Sequence, residues 1–515
     1  MMNRSIKLAW LALLACLPAA AKAEWRAAET RHFTFYSESG DRELEKLAAR
    51  LESYDKLMRM ATGSSDDAEP VKVRIYEVDS TDDVERALGL TNSGVAGFYD
   101  SNLLGPFAVT PRKTGSGYHF AGEQYFTPAL VLHHEYAHHF MLQYFPSVYP
   151  SWYVEGFAEL IGSSKVLADG KIGYGMPARH RGNEIAARWV DVAELLVKPP
   201  HKLRYLDLYG QGWALTHFLT FSTERSPQMR AYLLALRAGK PPEEAARAFG
   251  DLKALNRDAR RYVTTGVFGY RAVPVEIKTP AIERVRALSP GEAAMVPMVI
   301  ALRDDELTLY RKAGDREHEA KLRAANLERI RERARRFATD PFALYLLAAS
   351  EYTAGNYPAS EAAADRLLAL QPRHSRAMAL KSLNMARAAA ALDGPGRTAK
   401  AAEARVLAGK ANKADPDDTL PLLAFYESFR LAGEKPSKHA VDALAAVVAA
   451  QPADTRARQL LVDQLAAERR WGLAIAALLP IANSPHESPR RAAAREQLAK
   501  LEAELAKEKG ASPAS

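Results

Sequence analysis

Residues 130–140 read LVLHHEYAHHF, and inside them stands His134-Glu135-Tyr136-Ala137-His138. Histidines four apart on a helix share one face, so both rings can reach a single ion at about 2.0–2.1 Å. Glu135 lies on an adjacent part of the turn and points at a metal-activated water rather than at the metal, which is the position of a general base. His133 and His139 complicate the register, yet no pairing that uses either one places a Glu directly after its first His. These two are expected to face solvent or to support the site from behind. The spacing predicts a helix that starts at Thr127-Pro128, because a threonine hydroxyl can accept an orphan amide and proline is tolerated at the first helical position. That helix should stop by Phe145-Pro146, and Ser151 is expected to cap a second one running through Leu160.

The second helix carries Trp152-Tyr153-Val154-Glu155-Gly156-Phe157-Ala158-Glu159. Together with the histidine pair, this WxxEGxAE string resembles the gluzincin zinc metallopeptidases, in the version found in the aminopeptidase-N-type families. The resemblance implies one zinc ion per chain held by His134, His138 and Glu155; the bland alternative for Glu155 is a surface carboxylate favoured near a helix start. Glu159 stands one turn after Glu155 on the same face, where it can accept the free ring N–H of a ligand histidine, unless it is merely a solvated carboxylate. Tyr209-Gly210-Gln211-Gly212-Trp213-Ala214 is similar to the YxKGA segment of the same families, with Gln211 in place of lysine. That similarity implies Tyr209 as hydrogen-bond donor to the oxyanion, with Tyr153 and Tyr205 as fallbacks. The specific motifs cover roughly residues 130–220. Nothing in the chain corresponds to the GxMEN strand that clamps a free amino terminus in true aminopeptidases, so cleavage within chains is expected rather than trimming of their ends.

Upstream, residues 32–37 alternate apolar and polar, residues 41–61 have helical spacing, and residues 71–78 alternate again, predicting strand, helix, strand. Residues 95–110 hold two short apolar runs around Tyr99-Asp100-Ser101-Asn102, whose residue types favour a hairpin turn. One arm of that hairpin is expected to offer an open edge to an extended peptide. Downstream, a helix is expected over about 209–220, followed by further helical segments to about residue 262. The stretch 268–280 reads as an edge strand or connector, and residues 271–290 as a linker.

Beyond residue 290 the text becomes rich in Ala, Leu, Arg and Glu. Residues 341–372 resemble a tetratricopeptide repeat, with Leu344, Leu347, Ala348, Tyr352, Gly355, Tyr357, Leu367 and Pro372 at the expected offsets and Ser360 and Ala364 departing mildly. Helix-ending prolines recur at Pro416, Pro452 and Pro485, close to the period of about 34 residues. The alternative is a generic Ala-rich bundle. The expected architecture is therefore an α+β gluzincin-like domain over 24–270, built of a mixed sheet and active-site helices, then an all-α repeat domain over 291–510.

At the N-terminus, Arg4 and Lys7 precede an apolar run over residues 8–17, and Ala21-Lys22-Ala23 offers a small-x-small cleavage pattern. Residues 1–23 thus read as a signal peptide for export to a periplasm or the medium. The run is shorter than the roughly 20 residues needed to span a bilayer. Leu13-Leu14-Ala15-Cys16 overlaps a lipoprotein box, the alternative fate of this leader. Cys16 is the only cysteine, which excludes disulfides and cysteine-ligated metal in the mature chain. The formal charge of +8 falls to +5 when Arg4, Lys7 and Lys22 leave with the leader. Interleaved acids and bases argue for a solvated surface and against nucleic acid as a partner. The expected activity is zinc-dependent peptide hydrolysis, with a peptide or protein as substrate and a protein partner on the repeats. The alternative is an envelope scaffold or chaperone-like interaction protein whose repeats carry the function.

Overall fold

The computed structural model describes residues 24–65, 71–90, 93–102, 104–113, 126–145, 147–198, 202–204, 206–275, 282–302, 316–482 and 489–511. The expected signal peptide over residues 1–23, with Cys16, and also Tyr205 and Pro485 lie outside the described residues. In chain order the N-terminal region runs β1 (Arg26–Glu29), β2 (Phe33–Ser37), α1 (Asp41–Thr62), β3 (Val73–Ser80), α2 (Thr81–Leu88), β4 (Phe98–Asn102), β5 (Gly105–Lys113), α3 (Pro128–Tyr144) and α4 (Ser151–Gly162). It continues through β6 (Lys165–Val166), β7 (Ile172–Tyr174), α5 (Gly182–Ala187), α6 (Val192–Val197), α7 (Gly212–Phe221), α8 (Ser226–Arg237), α9 (Pro242–Ala245), α10 (Leu252–Thr265), β8 (Arg271–Val273) and β9 (Arg284–Ala287).

Six strands form a mixed sheet in the order β4-β5-β3-β2-β1-β9, with β2, β3 and β5 parallel and the other neighbours antiparallel. Alternation sends Phe33, Phe35, Val73, Ile75 and Ala108 to one face, where they pack with Leu44, Leu47 and Leu51 of α1 and Leu132, Tyr136, Ala137 and Phe140 of α3. Tyr76, Phe107 and Val109 join a core on the opposite face with Val84 and Leu88 of α2. Buried leucines three and four apart along α1 are what the helical spacing required. A second group of smaller strands, β6-β7-β8, is antiparallel throughout.

The hairpin over 95–110 forms, but Asp100, Ser101 and Asn102 lie in strand β4 rather than in its turn. Gly105, at φ 106°, takes the left-handed conformation that the tight return demands. Ser151 is the first residue of α4, and Pro150 precedes it as cap. The stretch 271–290 is not a free linker: β8 pairs with β7, and β9 closes the main sheet against β1.

The C-terminal region is helical: α11 (Pro290–Ala301), α12 (Arg316–Arg336), α13 (Pro341–Thr353), α14 (Tyr357–Leu370), α15 (Ser375–Ala390), α16 (Gly394–Ala414), α17 (Thr419–Leu431), α18 (Lys438–Ala450), α19 (Thr455–Ala467), α20 (Trp471–Ala482) and α21 (Pro489–Ala511). From α13 the helices come in hairpin pairs starting at residues 341, 375, 419 and 455, which makes the array tetratricopeptide-like. Leu344, Ala348, Tyr352 and Leu367 are buried between the paired helices, as the repeat pattern requires. Ser360, the departure from pattern, is fully buried and accepts from Asn384 Nδ2 at 2.9 Å. The array is continuous with the sheet: α11, α13 and α15 share one hydrophobic core with Ala27, Tyr76, Phe98 and Phe107. No helix among the described residues is long and apolar enough to cross a membrane.

Candidate metal centre

Helix α3 begins as expected, with Thr127 accepting from the Leu130 N–H at 3.2 Å and Pro128 at its first position. Its Leu132, Tyr136 and Phe140 face is fixed on the sheet, and this sets the direction of the histidines on the remaining surface. Helix α4 packs beside it, so that Glu155 lies near both His134 and His138 and Glu159 near His134. His134 Nε2 stands 3.1 Å from His138 Nε2, 3.4 Å separates it from Glu155 Oε2, and Glu155 Oε2 is 3.7 Å from His138 Nε2. Ligands at about 2.0–2.1 Å from a tetrahedral ion stand about 3.3 Å apart, so this triangle of two imidazoles and a carboxylate fits zinc. His134 and Glu155 are buried, and His138 is partly so.

Glu159 has no exposed surface. Its Oε1 lies 3.2 Å from His134 Nδ1 and accepts from Arg181 Nη2 at 2.7 Å, while Oε2 meets His180 Nε2 at 2.6 Å. Burial alone would keep the carboxyl protonated, but the charges of Arg181 and His180 and the bond from His134 hold it well below the usual carboxylate range. Burial likewise opposes a charge on His134, and the Glu155 and Glu159 carboxylates outweigh it, lifting that imidazole to about 10 in the metal-free chain. Desolvation pushes Glu135 up to about 7, with His134 opposing, Glu155 reinforcing and a hydrogen bond from the Tyr99 backbone pulling it back.

Tyr209 sits in a π turn, Asp207–Gln211, that leads into α7. Its ring stacks on His134 with centroids 5.7 Å apart, and the Arg181 guanidinium lies 4.7 Å above it. Gly156 and Gly212 explain how the turn comes so close: a Cβ on Gly156 would stand 2.3 Å from the Gly212 carbonyl oxygen, and one on Gly212 2.6 Å from that of Trp152. Helices α4 and α7 therefore touch backbone to backbone. Gln211, where the resembling families have lysine, is turned away from the site and grips Val190, accepting from its N–H at 2.8 Å and donating to its carbonyl at 2.6 Å. Tyr153 packs between Tyr149 and Phe157.

His133 and His139 are buried rather than solvent-facing. His139 Nδ1 meets the Tyr99 hydroxyl at 3.0 Å, and His133 stacks on Tyr54. Nothing in the sequence marks His180 and Arg181 as part of the site, because they come from a 3-10 turn, Arg179–Arg181, with no periodic pattern. A second group with metal-ligand chemistry, His32, Glu52 and Asp55, is an ion network instead. Its Asp55 is already bonded by Arg59 Nε at 2.6 Å and the Tyr136 hydroxyl at 2.5 Å, and its Glu52 by His32 Nδ1 at 2.7 Å.

No family model matches the chain, and no curated protein matches it. Among solved structures, a thermophilic TPR protein of Thermus thermophilus is similar over 36% of this chain and 94% of its own, at 19% identity and a TM-score of 0.30. The helix pairing described above is what makes the C-terminal region a tetratricopeptide-like array, joined to a mixed-sheet region that carries the histidine and carboxylate cluster.

Proposed function

We propose that the chain is an exported zinc endopeptidase of the gluzincin kind. The observation that carries this reading is the convergence of His134 Nε2, His138 Nε2 and Glu155 Oε2 within 3.1–3.7 Å of one another. Zinc held there would acidify a water and polarise the scissile carbonyl. Glu135 takes the proton of the attacking water and passes it to the leaving amine. Tyr209 donates its hydroxyl to the developing oxyanion, and Glu159 keeps the proton of His134 on Nδ1 so that Nε2 stays a lone-pair donor. An extended peptide adds to the edge strand β4, whose Tyr99 backbone already bonds Glu135.

The test is metal analysis of the full chain together with cleavage of an unstructured protein such as casein. Wild type should carry about one zinc, His134→Ala should lose it, and Glu135→Gln should keep it while cleavage falls by roughly 10²–10⁴-fold. Zinc-free wild type, or cleavage unchanged by Glu135→Gln, sinks the reading.

A second reading rests on the array of helix pairs from α13 to α20, a form of surface suited to protein partners. In that case the chain is an envelope interaction protein and the metal is subsidiary. It expects Glu135→Gln to be silent in cells, while charge reversals on the exposed faces of α14, α16 and α18 are not.

A further inference from the structure

A cavity of about 280 Å³ lies between α1, the N-terminal half of α3, the C-terminal end of α4 and the turn at Arg179–Arg181. None of His134, His138 and Glu155 lines it, so it is separate from the metal triangle. Three cationic side chains from three elements converge on it: Arg50 of α1, Lys165 of β6 and Arg179. The described residues of its lining include no Asp or Glu. Neither Arg50 nor Lys165 forms an ion pair with an acid among the described residues.

His133 forms part of the wall and is 3% exposed, yet neither of its ring nitrogens has a hydrogen-bond partner. The hydroxyl of Ser164, also buried and also in the wall, lacks one too. Buried polar groups are normally satisfied, and two orphans beside three converging cationic side chains describe a site built for something that accepts hydrogen bonds. The imidazole of His133 has an N–H to donate. Its ring is held in place by stacking on Tyr54, whose hydroxyl in turn donates to the Ser164 carbonyl.

We propose that this cavity binds a small oxyanion, a phosphate or carboxylate group held by Arg50, Lys165 and Arg179, with His133 and Ser164 donating from the wall. The bound group would be linked to the metal triangle through two side chains, because His180 lines the cavity and bonds Glu159, which in turn faces His134. The proposal does not depend on zinc or on peptide hydrolysis.

Calorimetric titration of the full chain with inorganic phosphate, and in a second arm with succinate, at constant ionic strength tests it. Saturable binding of either probe at one site per chain is expected, and which probe binds tells phosphate from carboxylate. Arg50→Gln combined with Lys165→Gln, both on exposed positions, should weaken that binding at least roughly tenfold by removing two charge-assisted bonds. His133→Phe, which keeps the stack on Tyr54 and removes both nitrogens, should weaken it as well. Absence of saturable binding of both probes by the wild type, or equal affinity in the double variant, overturns the proposal. Zinc content and the Glu135→Gln result would be untouched by that failure.

Discussion

Glu159 remains ionised without any contact with water because Arg181, His180 and His134 all face it. An anionic acceptor behind a metal-binding imidazole fixes the tautomer and the ring angle, and loss of such support typically weakens metal binding about 10–100-fold. Glu159→Gln and Arg181→Met are each expected to lower zinc affinity by that order in competition with a chelator, with the helical content unchanged. Affinity equal to wild type in both would make the network structural only. The candidate role of Glu159 is legible in the sequence, since one helical turn from Glu155 is a local relation. Its partners are not, because His180 and Arg181 stand 21 and 22 residues away in an irregular segment. The same limit hides the environment of His133 and His139: a residue's neighbours in sequence do not reveal which helix will cover it.

At the level of elements, α3 and α4 follow from capping and periodicity, whereas the α4–α7 crossing follows from two glycines whose need is visible only in three dimensions. Gly156→Ala and Gly212→Ala should each destabilise the fold by about 1–3 kcal/mol through overpacking. They should also lower the proposed peptide cleavage by moving Tyr209 off His134, and thermal unfolding beside the casein cleavage rate checks both effects. The ion network between β2 and α1 makes a different prediction. Burial opposes protonation of His32, but the Glu52 hydrogen bond and the charges of Glu52 and Asp55 outweigh it and the Arg59 charge, so its pKa rises above 6.5. Glu52, bonded to His32 against its own desolvation, is held below 4.5. The His32 contribution is thus fully present below pH 6.5 and is lost as pH rises through the raised value, while that of Glu52 is present above pH 4.5 and lost as pH falls. His32→Gln should cost about 1–3 kcal/mol near pH 6, and denaturant titrations should show that cost shrinking toward pH 9. A cost that grows with pH would contradict the assignment. Among the strands, the displaced hairpin turn has a plain cause: Asp100, Ser101 and Asn102 have turn-forming types, yet the register with β5 holds them in the ladder and Gly105 makes the return.

Across the whole molecule, the sheet is covered on one side by α1, α3 and α4, and on the other by α2 together with the helical array. Arg376 strengthens that second contact, donating to the Leu104 carbonyl of the β4–β5 hairpin at 3.3 Å and to Asp418 at 3.0 Å. A fragment ending at residue 289 would uncover Ala27, Tyr76, Val84, Phe98 and Phe107. Exposed apolar area of that kind drives association, so the fragment should aggregate or bind hydrophobic dyes, and a soluble fragment that unfolds cooperatively would refute the shared core. The two regions are legible as composition: mixed alternation and helix before residue 270, Ala- and Leu-rich helix after it. Their union is not, since strand β9 pairs with β1 from the far end of the region and the array meets the sheet through residues hundreds of positions apart. The His134, Glu135, His138 constellation, the helices that carry it and the helical repeats can all be read from the chain alone, because spacing along one element is a local property. Glu155 as the third member is also pointed to by the WxxEGxAE resemblance, but its distances to both histidines, the placement of His180 and Arg181 behind Glu159, and the repeats as one wall of the core emerge only once the elements are packed. Those relations depend on which elements meet, and that is settled by burial summed over the whole fold rather than by any one stretch.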